Sequence, residues 1–293
     1  LDLNGCTSLM TISENAFNSN ELSSFALPVC SGYEEDGWFD IHNNTYSGGD
    51  TVSDFGTYYL VNKAYTLSSD ELVVEDGIIV GCNYDFLRNN IVIPQQADGQ
   101  IIKGIANASE GVFEGKGIYF LELPATLEFI GNRAFANNIL RILDLSPCTG
   151  LNKIGKYAFY DNNIDSLDLS LCPGITEIGD YSFPYNNIKV LNLDACSSLT
   201  SIGYSSFYLN NIRTLDLSDC SALKIIKSES FVENHLSNII FNGCTSLEVI
   251  DVYAFFFNDL TNIDLSSCPK LEVIDYGSFG ANFISNLDLR ATA

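Results

Sequence analysis

The stretch LDLSPCTGLNKIGKYAFYDNNIDS, residues 143–166, decides the architecture of this chain because five more lines of the same length follow it without a gap. Residues 167–190 read LDLSLCPGITEIGDYSFPYNNIKV, and residues 191–214 read LNLDACSSLTSIGYSSFYLNNIRT. Three further lines follow, and a last LDL begins at Leu287. A fixed period of 24 residues indicates one structural unit repeated along the chain.

The apolar residues of these lines fall into columns. The first and third positions, such as Leu143 and Leu145, are two residues apart and so share one face of a short strand. The interior is completed by an isoleucine column (Ile154, Ile178, Ile202, Ile226, Ile250 and Ile274) and a phenylalanine column (Phe159, Phe183, Phe207, Phe231, Phe255 and Phe279). A single coil cannot bury such a face, so neighbouring coils must cover it. The pattern predicts an α/β-type repeat solenoid, mostly β: a right-handed leucine-rich repeat with one parallel strand per coil of 22–24 residues.

Two polar or weakly polar columns accompany the apolar ones. An asparagine stands three residues after each phenylalanine, and a cysteine stands five residues after each line begins. We interpret the asparagines as a structural ladder, because an Asn at a tight corner can bond backbone groups that no strand partner satisfies. The cysteine column, Cys148 to Cys268, is predicted to be reduced and buried, since side chains in a parallel stack point the same way and not at each other.

The chain before this array divides into two further segments. Residues 1–30 are predicted to form a partial leucine-rich repeat array, since Leu1, Cys6 and Phe17 repeat the column pattern. Residues 31–84 alternate Asn, Gly and Asp clusters with short aromatic and β-branched runs, which predicts a small β-rich module, with a hairpin turning at Asp76-Gly77. The solenoid is predicted to occupy residues 85–293.

Composition excludes several classes of partner. The formal net charge of −23, from 37 acidic and 14 basic residues, argues against nucleic acid and anionic membrane surfaces, and we expect a monomer. No run of 18 apolar residues predicts membrane insertion, and no signal peptide is visible. The chain opens inside a repeat and ends after a strand without a polar cap, so we expect it to be a piece of a longer protein.

The outward positions of the LDL strands provide the candidate binding surface. Its acidic residues are Asp144, Asp168, Asp194, Asp216, Asp264 and Asp288. Carboxylates about 5 Å apart repel each other by about 0.8 kcal/mol in water, which suggests a surface for a cationic or hydroxyl-rich partner, or for bound Ca²⁺. The alternative is that the aspartates only solvate an exposed strand and discourage sheet aggregation. Tyrosines such as Tyr157, Tyr181 and Tyr185 form a second candidate, with stacking between coils as the alternative.

Catalysis is not expected. The two histidines, His42 and His235, are far apart in the sequence, and no nucleophile elbow, zinc-protease motif, phosphate-binding loop or dinucleotide fingerprint occurs. A repeating column of acids is a poor match to two carboxyl groups in distinct environments. We therefore predict no catalytic, cofactor-binding or metal-binding residues.

The repeats resemble the BspA-like leucine-rich repeats of bacterial surface proteins. The matching pieces are I-x-I-P and its variant at Ile91–Pro94 and Leu121–Pro124, and I-G-x-x-A-F at Ile130–Phe135 and Ile154–Phe159. Residues 33–61, with Trp38, Asn44, Tyr46, Gly49, Asp50 and Val52, resemble a fragment of the Listeria–Bacteroides β-repeat. The resemblance implies an extracellular or bacterial cell-surface module that binds or adheres to a protein or glycan partner. Its alternative is a structural spacer that displays other domains of a longer surface protein.

Overall fold

The computed structural model describes residues 64–86 and 88–285 with their side chains, and only the backbone of short strands outside those ranges. Two compact units are present. One comprises Leu1–Tyr65 and Leu87–Asn90, and the other comprises Thr66–Phe86 and Ile91–Ala293.

The first unit contains antiparallel strands. They are Thr11–Ile12 (β1), Phe25–Ala26 (β2), Gly37–Asp40 (β3), Thr45–Ser47 (β4), Thr51–Val52 (β5) and Tyr58–Val61 (β6). Four of them form an antiparallel sheet in the order β1-β6-β3-β4, and β2 pairs with β5. Hairpin-type pairing at β3 and β4 matches the turn-rich sequence there. Strands β1 and β2, from the predicted partial array at 1–30, pair antiparallel with later strands and not in parallel with each other. The remainder of that array lies outside the described residues, so this part stays a prediction.

The next strands along the chain are short and lead into the coils. They are Tyr65–Thr66 (β7), Leu72–Glu75 (β8), Ile78–Cys82 (β9), Asn90–Val92 (β10), Gln96–Ala97 (β11), Gln100–Ile101 (β12), Gly104–Ile105 (β13), Phe120–Glu122 (β14) and Phe129–Ile130 (β15). Strands β8 and β9 pair antiparallel, and both turn residues, Asp76 and Gly77, have positive φ angles of 54° and 80°. Positive φ at both central positions is typical of the two-residue hairpin turn, so the predicted hairpin is confirmed.

Strand β9 also pairs in parallel with β13, with Ile79 opposite Ile105. Residues 72–82 therefore belong to the same sheet as the coils. This sheet contains strands from both sides of the predicted boundary between residues 84 and 85. Ile79 belongs to the isoleucine column of the coils. The alternating pattern of residues 72–80 indicates a hairpin, however, so the sequence alone did not predict the parallel pairing of Ile79.

The coils themselves contribute two parallel ladders. Their strands are Lys153–Ile154 (β16), Ser166–Asp168 (β17), Glu177–Ile178 (β18), Val190–Asn192 (β19), Ser201–Ile202 (β20), Thr214–Asp216 (β21), Ile225–Ile226 (β22), Asn238–Ile240 (β23), Val249–Ile250 (β24), Asn262–Asp264 (β25), Val273–Ile274 (β26) and Asn286–Asp288 (β27). The isoleucine strands form a ten-stranded sheet from β8 to β26, parallel from β9 onwards. The LDL strands pair only in twos, as β17–β19, β21–β23 and β25–β27. The predicted parallel solenoid is confirmed, with a second ladder per coil that was not predicted; the described residues contain no helix.

The core is a stack of rings. Eight phenylalanines from Phe113 to Phe279 follow one another with ring centroids 5.2–5.6 Å apart and planes within 15° of parallel. The isoleucines of the column, one per coil, are buried from Ile79 to Ile250. The continuity of both columns explains why the coils stack without interruption.

The cysteine column lies beside this core. Cys148, Cys172, Cys196, Cys220, Cys244 and Cys268 are buried and free, as predicted, and Cys6 and Cys30 lie outside the described residues. Several thiols contact carbonyl oxygens of the preceding coil, for example Cys244 Sγ to the Leu217 oxygen at 3.4 Å. Burial raises the pKa of the Cys196 and Cys244 thiols to about 12, so these thiols stay neutral over the physiological range.

Candidate functional site

The asparagine ladder is the more buried of the two repeating polar columns. Asn210 is representative: its Oδ1 accepts a hydrogen bond from the Ile188 amide at 3.0 Å. Its Nδ2 donates to the carbonyl oxygens of Phe183 and Phe207 at 2.9 and 3.2 Å. Equivalent bonds recur at each asparagine from Asn138 to Asn282. Each amide therefore joins two coils through backbone groups, which confirms the structural interpretation of this column.

The aspartate column lies on the outward side of the LDL strands. Strand register places Asp168 opposite Asn192, Asp216 opposite Ile240, and Asp264 opposite Asp288. Of the predicted site residues, Asp144, Asp168, Asp194 and Asp264 are exposed, and Asp216 is half-buried. For Asp288 only the backbone is described. The column is interrupted by Asn192 and Ile240, so the acidic surface is broken and not continuous.

The aspartates also have a local structural role that sequence reasoning missed. Oδ1 of Asp144, Asp168, Asp216 and Asp264 each accepts a hydrogen bond, at 2.8–2.9 Å, from the backbone amide two residues later. This contact is an Asx turn, which ends the strand and satisfies an amide that leaves the ladder. The neutral Asn192 makes the same bond, from the Asp194 amide at 3.0 Å. The signal was available in the sequence as the repeated D-x-S spacing.

Few cations compensate these carboxylates. Within the described residues, no ion pair involves Asp144, Asp168, Asp194 or Asp216. Asp165, which directly precedes β17, is different, because it forms ion pairs with Arg141 at 2.7 Å and with Lys189 at 3.6 Å. The negative charges of Asp144, Asp168 and Asp194 thus face solvent.

Apolar side chains interrupt the polar character of this face. Val190, the first residue of β19, is 61% exposed, and Leu171, in the turn after β17, is 53% exposed. An exposed apolar side chain alone is ordinary. Beside a charged column it provides the mixed surface from which protein and glycan contacts are built.

The tyrosines contact one another from coil to coil. Tyr157 and Tyr181 stack with centroids 4.8 Å apart and an interplanar angle of 4°. Tyr160, Tyr185 and Tyr208 meet edge to face at 5.4 and 5.5 Å. The contacts support the stacking alternative for these residues, although Tyr185 remains exposed.

Several of these aromatic residues hold an unusual backbone conformation. Tyr157, Tyr181, Tyr185, Tyr253 and Phe257 have φ angles of 53–59°. The left-handed region costs an L-residue roughly 1–2 kcal/mol and is a genuine outlier for a bulky side chain. In the last coil Gly277 occupies the slot of Tyr157, which shows that the turn itself calls for a left-handed residue.

The tyrosine hydroxyls are weak acids here. Burial, followed by hydrogen bonds with Tyr181 and Glu229, raises the pKa of Tyr204 to about 12. Burial and the charge of Glu233 raise the pKa of Tyr208 as well. These hydroxyls therefore act as neutral hydrogen-bonding groups.

The described part of the chain offers little for catalysis. It contains no group of three or more His, Cys, Asp or Glu side chains arranged to hold a metal ion. His235 contacts Asp259 at 3.3 Å, but both side chains are largely exposed, and His42 lies outside the described residues. The described residues also contain no helix with the length and apolarity needed to cross a bilayer.

The fold and its columns define the protein class as a leucine-rich repeat solenoid. Six copies of the BspA type leucine rich repeat region match residues 106–220 and 176–292. The chain belongs to this family, which confirms the resemblance drawn from the I-G-x-x-A-F pieces. The family match does not reach residues 33–61, so their resemblance to the Listeria–Bacteroides β-repeat stays a prediction.

Several solved structures are similar at low identity. The functional domain of InlJ from Listeria monocytogenes, which includes a cysteine ladder, is 18% identical with a TM-score of 0.27, over 57% of this chain and 35% of that one. The chain thus spans about a third of the InlJ structure. A Treponema pallidum leucine-rich repeat protein is 17% identical (TM-score 0.25, covering 78% and 85%), and a leucine-rich cell surface protein of Faecalibacterium prausnitzii is 14% identical (TM-score 0.31, covering 78% and 92%). Such scores support no inference about partners. Among curated proteins, none matches.

Proposed function

We propose that this chain is a non-catalytic binding module of a bacterial cell-surface or secreted protein. It recognises a protein or glycan partner through the outward face of its LDL strands, as a monomer. Membership of the BspA-type family supports the location, since the resemblance drawn from the repeats implies surface proteins. The partner contact is assigned to the aspartate column.

The main support for this proposal is that the aspartate column carries more negative charge than its structural role requires. Asn192 makes the same turn-capping bond as Asp168 and Asp216 without a charge. A neutral acceptor oxygen therefore suffices for the cap, whereas Asp144, Asp168 and Asp216 carry a carboxylate that forms no ion pair within the described residues. Parallel strands lie about 4.8 Å apart, so carboxylates on successive coils, such as Asp144 and Asp168, repel each other. A basic or hydroxyl-rich partner surface would relieve that repulsion.

A structural spacer is the second candidate. The stack of eight phenylalanine rings favours it, because it joins successive coils through one continuous core. A spacer requires solvation of the strands but no partner. A bound Ca²⁺ is not favoured, because three acidic groups do not converge anywhere in the described residues.

An array of glycans and secreted or surface proteins separates the two candidates. The purified chain should give at least one saturable binder, and Asp168→Asn with Asp216→Asn should weaken it about fivefold or more. Asp161→Asn is the matched control, since Asp161 is exposed on another part of the coil, at a left-handed position that Asn tolerates. Equal binding by the double variant would contradict the assigned face, and no saturable binder at all would favour the spacer.

A further inference from the structure

A groove of about 480 Å³ spans successive coils at the positions around the asparagine ladder, a few residues before the LDL strands. Its walls come from two positions of each coil that flank the asparagine ladder. Glu233 and Phe257 stand just before a ladder asparagine, and His235, Asp259 and Phe283 stand just after one. The asparagines of the groove floor are occupied with backbone groups, so recognition falls to the wall residues.

The walls are rigid at the level of the backbone. The amide of Phe257 donates to the Gly280 oxygen at 3.1 Å, and that of Phe283 donates to the Leu260 oxygen at 2.8 Å. The amide of Asp259 donates to the Leu236 oxygen at 2.9 Å. Bonds between coils therefore fix both sides of the groove before any ligand arrives, which lowers the entropy lost on binding.

Two phenylalanine rings of the groove are exposed. Phe257 is 57% exposed and Phe283 is 71% exposed, whereas the phenylalanines of the core column are fully buried from Phe113 to Phe255. The Phe257 ring rests edge to face on Phe256, with centroids 5.0 Å apart, and Phe256 packs in the same way on Tyr253. Phe257 is thus held outward by its neighbours, and its ring is presented to the groove.

The charge of the groove has one sign. Glu233 and Asp259 supply two carboxylates, and none of the lining residues is Lys or Arg. Asp259 contacts the imidazole of His235 at 3.3 Å, and Glu233 lies near the Tyr208 hydroxyl, whose pKa is raised by burial and by the charge of Glu233.

We propose that this groove binds a cationic side chain, Arg or Lys, of a peptide partner. Aromatic faces attract a cation within about 6 Å, and carboxylates form the strongest hydrogen bonds with a guanidinium or ammonium group. A neutral sugar would also stack on a phenylalanine ring and donate hydroxyl hydrogen bonds to the carboxylates, but only a cation is in addition attracted by their charge. This site is separate from the aspartate column and does not depend on it.

The test uses small probes on the intact chain. N-acetyl-arginine amide and N-acetyl-lysine amide are titrated against protein with labelled phenylalanine rings, and the ring signals of Phe257 and Phe283 are followed by NMR. N-acetyl-citrulline amide is the neutral comparison. We expect the two cations to bind with dissociation constants on the order of millimolar, as for a single anchoring side chain, and binding to weaken as salt screens the carboxylates.

The variants separate charge from shape. Glu233→Gln with Asp259→Asn should weaken arginine binding about tenfold, and Phe257→Leu, which keeps apolar bulk but removes the ring face, should weaken it severalfold. Asp98→Asn, at an exposed left-handed turn position outside both surfaces, should change nothing. The proposal is overturned if citrulline binds as well as arginine, if the double variant binds arginine normally, or if a neutral oligosaccharide alone shifts the two rings.

Discussion

The buried asparagine ladder and the exposed aspartate column repeat with the same 24-residue period, yet the structure treats them differently. Each ladder amide uses its oxygen and its nitrogen on backbone groups of two coils, as Asn210 does. An aspartate such as Asp168 uses one oxygen, on an amide two residues away, and leaves the charge in solvent. The 24-residue period identifies both columns in the sequence. Burial and hydrogen bonding then show that the asparagine column is the one on which the stability of the fold depends.

Moving the charge into the ladder should have the largest effect. Asn210→Asp replaces two Nδ2–H donors with acceptor lone pairs and buries a carboxylate beside the oxygens of Phe183 and Phe207. We expect a loss of about 3–5 kcal/mol in the free energy of unfolding, the range for an uncompensated buried charge. Chemical denaturation at neutral pH measures it. Burial should raise the pKa of the new carboxyl group, so part of the loss should be recovered as pH falls; a fully stable variant would contradict the structural role of the ladder.

The cysteine column should show its burial at high pH. The thiol pKa is raised in the folded state, to about 12 for Cys196, so the unfolded chain loses protons first as pH rises above about 9. The folded state then holds more protons, and stability falls with rising pH by at most about 1.4 kcal/mol per pH unit for each such thiol. Cys196→Ala should reduce the slope of unfolding free energy against pH by one thiol. An unchanged slope would show that this thiol is accessible in the native state.

Removing the turn cap should have a smaller effect. Asp168→Ala deletes the acceptor of the Ser170 amide and should cost about 0.5–1.5 kcal/mol, as for one partly exposed hydrogen bond. Thermal or denaturant unfolding of the variant measures the loss. Stability equal to wild type would mean that water replaces the cap, and that the Asx turn does not explain the column.

Much of this architecture could be predicted from the sequence because regular columns specify regular coils. The positions of Phe207 and Asn210 hold Phe and Asn every 24 residues, among other apolar columns, and this regularity predicts their burial. The parallel pairing of Ile79 with Ile105 could not be predicted in this way. The residues around Asp76 follow the alternating pattern of a hairpin and not the 24-residue pattern of the coils. The groove of Phe257 and Phe283 was missed for another reason. The position of Phe257 holds Leu209 two coils earlier, and that of Phe283 holds Asn211 three coils earlier, so no repeated motif marks them.

The central claim is that the charge of the aspartate column serves recognition and not folding. The most direct test of this claim is also the change with the smallest expected effect on stability. Asp168→Asn with Asp216→Asn keeps both turn caps, as Asn192 shows, and removes two like charges. Unfolding of the double variant and its affinity for the array binder should be measured together, over a range of salt. We predict a free energy of unfolding equal to wild type or up to about 0.5 kcal/mol higher, no effect of Ca²⁺, and a loss of affinity that shrinks as salt screens exposed charges. A destabilised variant, or one that binds its partner as tightly as wild type, would contradict the account.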